Sequence, residues 1–174
     1  IEKNIKNLAD HKNKDLSEIN VCILNRPRHK EIIDKMRELG VGIKLISDGD
    51  VSGAILITDP KYKIDLFIGT GGGPEGVLAA SALDAYNSFF QGRFIFDNED
   101  LISRAKKMGI TDLNRKYNLN EIVKGDSIFC ATGITSGDLC KGIKIDNTDF
   151  YSETFVTHKK TGFKNIVRNK FKIN

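Results

Sequence analysis

The chain has 174 residues, of which 40% are hydrophobic and 29% are charged. This length fits a single domain, and the composition is that of a globular protein, which excludes intrinsic disorder of the whole chain. The sequence contains neither the ~18 uninterrupted apolar residues of a membrane span nor a secretory signal. We therefore expect a protein without a membrane partner.

The formal net charge of +4 is concentrated near the carboxyl terminus, because residues 154–174 contain six basic and no acidic side chains. Apolar residues such as Phe155 and Phe163 alternate with these charges, and Gly162 marks a turn. We predict a two-stranded ribbon with one solvated basic face, which is a different surface from the basic and aromatic stripe of a nucleic-acid-binding protein.

The three cysteines, Cys22, Cys130 and Cys140, form no close pair and lie in apolar runs. This spacing is typical of neither a disulfide framework nor a zinc site. We predict buried free thiols in a reducing compartment, the cytoplasm.

Along the chain, the apolar spacing predicts helices and strands that alternate. Helices are predicted over residues 2–12, 32–39, 51–57, 74–90 and 98–107, and strands over residues 21–24, 43–46, 64–68, 94–96 and 128–131. The predicted fold class is α/β: one layered domain over residues 1–174, with a mostly parallel sheet flanked by helices and a short antiparallel ribbon at the carboxyl end. Ligands bind at the carboxyl ends of the strands in such sheets, so the loops found there are the candidate site.

The first of these loops contains Arg26, Pro27 and Arg28. Proline restricts the backbone, and guanidinium groups suit phosphate or carboxylate. The alternative is a surface turn with two solvated arginines. We expect His29, at the start of the following helix, to be a surface residue.

The second loop contains Asp48, Gly49 and Asp50. Paired carboxylates can bind a metal, accept hydrogen bonds from sugar hydroxyls or transfer protons. The alternative is an Asx turn in which Asp50 caps the next helix. The residues alone leave both interpretations open.

The third loop, residues 69–76, is rich in glycine and leads from a strand into a helix, so its backbone N–H groups are open to an anion. Gly71, Gly73 and Gly76 fit the G-x-G-x-x-G pattern, and Asp97 lies where a dinucleotide-binding protein places its ribose-binding acid. Glu75 opposes that hypothesis, since its carboxylate would repel a pyrophosphate unless a cation lay between them. A carboxylate beside phosphate-accepting amides favours a divalent metal and a phosphorylated substrate.

The loops, taken together with three further segments, resemble the class II fructose-1,6-bisphosphatases, some of which also act on sedoheptulose-1,7-bisphosphate. The segments that carry the resemblance are residues 25–29, 48–51, 71–77, 91–93, 124–126 and 131–135. The resemblance extends over essentially the whole chain, but only to the carboxyl-terminal part of that family.

The resemblance implies a sugar-phosphatase fold related to the lithium-sensitive phosphatases and a hydrolase that uses Mn²⁺ or Mg²⁺. The implied reaction removes the 1-phosphate of fructose-1,6-bisphosphate in gluconeogenesis, with a further link to glycerol metabolism. The residues that it implies for substrate binding are Arg26, Pro27, Arg28, Asp48, Gly49, Asp50 and Gly72, and the implied metal ligand is Glu75.

Asn25 replaces an aspartate that usually precedes the Arg-Pro-Arg motif in the family. The family's other metal carboxylates and its water-activating threonine belong to an amino-terminal half that this sequence does not contain. A single carboxylate does not hold a hard divalent ion that takes about six oxygen ligands. We therefore expect the chain alone to be inactive. It is either the substrate-binding portion of a phosphatase that needs its missing half, or a non-catalytic remnant or sugar-phosphate-binding module of a disrupted gene. The sequence leaves open whether the chain forms a homo-oligomer.

Overall fold

The helices and strands lie in a computed structural model that describes residues 1–172. The α-helices are α1 (Glu2–Lys12), α2 (Lys30–Glu38), α3 (Asp50–Ile55), α4 (Gly73–Asp84), α5 (Glu99–Lys107) and α6 (Leu119–Ile122). The strands are β1 (Asn20–Leu24), β2 (Gly42–Ile46), β3 (Leu66–Phe67), β4 (Gln91–Arg93), β5 (Lys116–Asn118), β6 (Ile128–Thr132), β7 (Lys144–Asp146), β8 (Asp149–His158) and β9 (Phe163–Lys172). Among these residues, no helix combines the length and apolarity that crossing a membrane requires.

A parallel sheet with strand order β2-β1-β3 forms the centre of the amino-terminal part. Val21 of β1 pairs with Ile43 of β2 on one side and with Leu66 of β3 on the other. The apolar run of β1 reflects this central position, because a strand of a parallel sheet is covered on both faces. Val21 and Ile23 belong to the core on one face, and Cys22 to the core on the other.

Helices α1 and α2 cover the first face of this sheet. Ile5 and Ala9 of α1 lie one turn apart, as do Ile33 and Met36 of α2, so each pair presents an apolar stripe to the core that contains Ile23. Helix α1 ends at Asn13, which adopts the left-handed conformation. The amphipathic pattern of these helices therefore follows directly from one-sided burial.

Helices α3 and α4 cover the second face. Helix α4 is apolar over most of its circumference, because it is packed on two sides, and small residues such as Ala79, Ala80 and Ala82 bring it close to its neighbours. The α3–α4 contact contains Ala54 and Leu83. These two helices separate the parallel sheet from a second sheet.

The second sheet is antiparallel and contains β6, β8 and β7 in that order, with β9 paired to β8. Its inner face contributes Phe129 and Phe155, which pack against Ile55 of α3 and Ala82 of α4. Lys159 Nζ adds an ion pair of 2.7 Å to the buried Asp84 at the end of α4. The layers thus run helix, parallel sheet, helix, antiparallel sheet.

The α/β class and a parallel sheet flanked by helices are confirmed, but this sheet has three strands and the antiparallel part of the fold is larger than expected. Within residues 1–172, only β1, β2 and β3 pair in parallel, and the predicted strand over residues 128–131 is instead an antiparallel strand paired to β8. Residues 94–96 form no strand; the preceding segment, β4, pairs antiparallel to β5. The helix predicted to reach Phe90 ends at Asp84.

The carboxyl-terminal ribbon is confirmed as the hairpin of β8 and β9, and its turn contains Gly162 at φ 67°. Its strands are ten residues each, longer than expected, and they are part of the four-stranded sheet. Several basic groups are paired rather than only solvated: Arg168 Nε lies 2.9 Å from Glu153 Oε1, and Lys170 Nζ lies 2.8 Å from Asp149 Oδ2.

The expectation of three buried thiols is wrong for Cys130. Cys22 is fully buried and Cys140 is partly exposed, whereas Cys130 is exposed. Cys130 lies on β6 between Phe129 and Ala131, which face the core, so the alternation of a strand turns its side chain to solvent.

Candidate functional site

Three loops meet at the carboxyl edge of the parallel sheet. Arg26 follows β1, Asp48 follows β2, and Thr70 follows β3. Because the three strands are adjacent and parallel, the loops that leave their carboxyl ends lie side by side. This arrangement brings the arginine, aspartate and glycine segments predicted from sequence into contact.

The arginine turn begins with Pro27 at the first position of a short 3-10 helix, Pro27–His29. Arg28 Nε donates a hydrogen bond of 2.6 Å to the carbonyl oxygen of Thr70. Arg26 Nη2 lies 3.6 Å from Asp48 Oδ1, in an exposed ion pair. The turn therefore contacts both neighbouring loops. Each guanidinium uses one nitrogen in these contacts, so its remaining N–H groups do not take part in them.

The aspartate loop is a tight turn into α3. Gly49 has φ 81°, a left-handed conformation that favours glycine, and it occupies the position before the helix. The carboxylate of Asp48 accepts the Gly49 N–H at 2.9 Å, and Ser52 Oγ donates to the Gly49 carbonyl at 2.8 Å. Asp50 is the first helical residue, so the predicted capping role falls to Gly49 instead.

The aspartate loop also touches the glycine loop. A Cβ atom added to Gly71 would lie 2.9 Å from Asp50 Oδ2, closer than real Cβ atoms approach a neighbour. The backbone at this position therefore passes directly beside the carboxylate. Only a residue without a side chain allows this approach while Asp50 keeps its position.

Glu75 lies in the first turn of α4, with Gly72 at the N-cap and Pro74 at the second helical position. Its side chain is exposed, and its carboxylate folds back over Gly72, where any Cβ would collide with it. No ion pair between residues 1 and 172 includes Glu75. Its carboxylate oxygens are thus available at the start of a helix, where the dipole favours negative charge.

His29 is the residue that the sequence interpretation placed wrongly. Its side chain is fully buried instead of lying on the surface. Nδ1 lies 2.8 Å from the Leu24 carbonyl oxygen, and Nε2 accepts the Thr70 N–H at 2.9 Å. The apolar spacing of α2 gave no signal for this burial, because His29 precedes the helix and packs against loops from distant parts of the chain.

The donor set of the described residues does not by itself form a metal centre. No three histidine, cysteine, aspartate or glutamate side chains among them lie close enough together to hold an ion. Glu75 can supply one oxygen-bearing ligand, whereas Mg²⁺ and Mn²⁺ sites draw on several. Residues 1–172 therefore do not fit a complete divalent-metal site.

The dinucleotide-binding hypothesis fails on the position of Asp97. Residues 94–96 are not a strand, and the preceding β4 pairs with β5 rather than with the parallel sheet. The acid that should lie at the end of the second strand of a dinucleotide-binding unit is therefore outside the sheet. The glycine pattern of Gly71, Gly73 and Gly76 does not carry that function here.

Comparison with known proteins identifies the family. The profile of the family described as bacterial fructose-1,6-bisphosphatase, glpX-encoded, matches residues 1–171. The chain belongs to this family, which confirms the resemblance drawn from the sequence.

Individual relatives agree with the family match. A D-fructose 1,6-bisphosphatase class 2/sedoheptulose 1,7-bisphosphatase of Microcystis aeruginosa is 36% identical over 174 residues, which cover 91% of this chain and 50% of that protein. The protein of the same name from Trichodesmium erythraeum is 37% identical over 155 residues, which cover 82% of this chain and 45% of the relative. The chain therefore spans about half the length of the curated relatives that it matches.

Proposed function

We propose that this chain supplies the sugar-phosphate-binding part of a metal-dependent fructose-1,6-bisphosphatase, which releases the 1-phosphate to give fructose-6-phosphate. Sedoheptulose-1,7-bisphosphate is a second candidate substrate, since the relatives carry both names. The observation that carries the proposal is the contact between the three loops: Arg28 with Thr70, Arg26 with Asp48, and Asp50 with Gly71.

Each loop offers a group that suits a phosphorylated sugar. Arg26 and Arg28 bring two positive charges to the turn opened by Pro27, and a guanidinium binds phosphate oxygens in a two-pronged geometry. Asp48 and Asp50, held by the turn at Gly49, can accept hydrogen bonds from sugar hydroxyls. In our proposal these residues bind the substrate.

The glycine loop adds backbone donors. Gly72 precedes α4, where the first N–H groups of the helix have no partner within the helix and the dipole favours an anion. We assign Gly72 to substrate contact and Glu75 to a shared divalent cation, Mn²⁺ or Mg²⁺. When bound, such a cation neutralises phosphate charge and activates water. In this proposal the remaining ligands come from the other half of the phosphatase, which agrees with the lack of a three-ligand cluster among residues 1–172.

We therefore expect this chain to bind the substrate without hydrolysing it. We expect fructose-1,6-bisphosphate to shift the backbone amide resonances of residues 70–73 in a ¹H–¹⁵N NMR titration. We expect no phosphate release on addition of Mn²⁺, measured with a colorimetric phosphate assay. Turnover by the purified chain would refute the assignment of the other metal ligands to a separate half.

A matched pair of arginine variants tests the binding residues. Arg28→Ala removes a guanidinium from the loop cluster, whereas Arg37→Ala removes one from the exposed surface of α2, where it pairs with Asp34 at 3.1 Å. Loss of a charge-assisted contact predicts an affinity about 10-fold to 100-fold lower for Arg28→Ala and an unchanged affinity for Arg37→Ala. Equal affinities of the two variants would remove Arg28 from the site.

Mn²⁺ also serves as a paramagnetic probe of Glu75. In the presence of fructose-1,6-bisphosphate, we expect Mn²⁺ to broaden amide signals around Gly72 and Glu75 in the wild-type chain and much less in Glu75→Gln. Broadening that is equally strong in both proteins would show that the ion is held elsewhere.

A further inference from the structure

The two backbone groups of Thr70 are both bound by consecutive residues of the arginine turn. The Thr70 carbonyl accepts from Arg28 Nε at 2.6 Å, and the Thr70 N–H donates to His29 Nε2 at 2.9 Å. Thr70 is the residue that precedes Gly71 and the rest of the glycine loop. The start of this loop is therefore fixed from outside by two side chains.

The buried surroundings of His29 fix the position of the ring that accepts the Thr70 N–H. The ring is fully buried, and its Cε1 atom would lie 3.4 Å from a Cβ added to Gly69, so it packs directly on the segment that follows β3. Nδ1 lies 2.8 Å from the Leu24 carbonyl oxygen. The ring thus bridges the end of β1, through Leu24, and the segment that follows β3, through Gly69 and Thr70.

The two partners assign the proton on the ring. A carbonyl oxygen only accepts, so Nδ1 must carry the hydrogen and donate it to Leu24. The Thr70 N–H only donates, so the bond from it requires an Nε2 without a hydrogen. Only the neutral Nδ1–H tautomer satisfies both bonds, and it leaves the Thr70 carbonyl, 3.1 Å from Nε2, to Arg28.

We propose that His29 is a positioning residue that holds the glycine loop against the arginine turn in the arrangement that receives the substrate phosphate. This inference rests on the proposed function of the loops. Glycines lose more backbone freedom than other residues when they are ordered, so a loop fixed at Thr70 before binding pays less of that cost when the ligand arrives. His29 itself is buried and acts through Thr70.

Isosteric variants separate positioning from general packing. His29→Gln can place its side-chain oxygen near the position of Nε2 and accept the Thr70 N–H, whereas His29→Asn is shorter and can donate only to Leu24. We expect His29→Asn to bind fructose-1,6-bisphosphate about 5-fold to 10-fold more weakly, the loss of one ordering hydrogen bond, and His29→Gln to recover most of that affinity. Thermal unfolding of both variants provides the stability reference.

Two NMR measurements on the chain without ligand complete the test. In the wild type, long-range ¹H–¹⁵N spectra should show hydrogen on Nδ1 of His29 and none on Nε2. ¹⁵N relaxation should show residues 70–72 to be more mobile in His29→Asn than in the wild type and His29→Gln. The wild-type tautomer needs no substitution, so it remains decisive if a variant does not fold.

Each result bears on a separate statement. A proton on Nε2 would overturn the bond from the Thr70 N–H on which the positioning role is argued, and equal loop mobility with equal affinity in all three proteins would overturn the role itself. An affinity loss that follows thermal stability in both variants would also overturn it, in favour of packing alone. A wild-type chain with the expected tautomer that binds no sugar phosphate would instead overturn the proposed function.

Discussion

Gly53 sets the distance between α3 and the parallel sheet, and its replacement by alanine is a direct test of this packing. The residue is buried in α3, one turn after Asp50. A Cβ atom at this position would lie 2.6 Å from Ile46 Cδ1 and 2.8 Å from Phe67 Cε2. The first neighbour is the end of a flexible side chain, but the second is an aromatic ring that cannot move without displacing its own contacts.

The magnitude follows from two opposing effects. Alanine in a helix is about 0.5–1 kcal/mol more favourable than glycine. An additional carbon in a well-packed core costs about 1–3 kcal/mol. The control is Gly76→Ala in α4, where a Cβ meets nothing within 4 Å, so only the helix gain applies. The difference in the free energy of unfolding between the two variants, about 1–3 kcal/mol, is then the steric cost alone.

Urea unfolding followed by circular dichroism measures this difference, provided that both variants keep the wild-type dependence of the free energy on urea concentration. We expect Gly76→Ala to be more stable than the wild type and Gly53→Ala to be less stable than Gly76→Ala. If the two variants were equally stable, the close contact of α3 with Ile46 and Phe67 would be wrong, and with it the placement of Asp50.

Two further predictions concern titrating groups. Burial raises the pKa of the Cys22 thiol to about 11, whereas Cys130 is exposed. A thiol reagent at pH 8 should therefore modify Cys130 in the folded chain and Cys22 only after unfolding, and peptide mapping would show which cysteine has reacted. The Asp65 carboxylate lies 2.7 and 2.8 Å from the Lys12 and Lys14 ammonium groups. Burial raises the pKa of Asp65, but hydrogen bonds to these lysines lower it by more, so the net pKa is below the usual value. Stability from a lowered pKa is present above about pH 4 and lost as the pH falls through the folded-state pKa, so urea unfolding should find Asp65→Asn less stable by about 1–3 kcal/mol at pH 7 and closer to the wild type in acid. A gap that persists in acid would contradict this assignment.

The parallel part of the fold is predictable because each element carries its own signal. The continuous apolar run of β1 indicates burial on both faces, and the spacing of Ile33 and Met36 indicates a helix with one buried face. The loops at the strand ends follow from these elements. The arginine, aspartate and glycine segments accordingly follow three strands that the apolar pattern predicts.

The carboxyl-terminal half is harder to predict because similar apolar runs there have a different environment. Residues 128–132 alternate between exposed and less exposed side chains, with Phe129 buried and Cys130 exposed, which is the pattern of an antiparallel strand with one solvated face. The sequence does not show this alternation, because Ile128 and Cys130 are apolar residue types like the less exposed residues beside them. Phe94 and Ile95 give the opposite error, since they form an apolar run that stays largely exposed and builds no strand.

The site shows the same limit at the level of single side chains. Arg26, Asp48 and Glu75 could be placed because they follow strands or open a helix, and both are local features. His29 could not, because its burial depends on Thr70, which is 41 residues away along the chain. Contacts of this kind depend on which strands pair, and the apolar spacing within one segment does not specify its partner strand.

The contacts of the candidate site also divide the proposed chemistry into two parts. Arg28, His29 and Thr70 hold one another through hydrogen bonds within this chain, so the surface that we propose for binding phosphate depends on no residue outside it. Glu75 has no ion-pair partner among residues 1–172, and it belongs to no group of three histidine, cysteine, aspartate or glutamate side chains in that range that could hold a metal ion. Affinity for a sugar phosphate should therefore be an intrinsic property of the chain, whereas hydrolysis should require carboxylates supplied from outside it. Adding residues that complete the metal site should then raise turnover without changing the contacts that Arg28 and His29 make with Thr70.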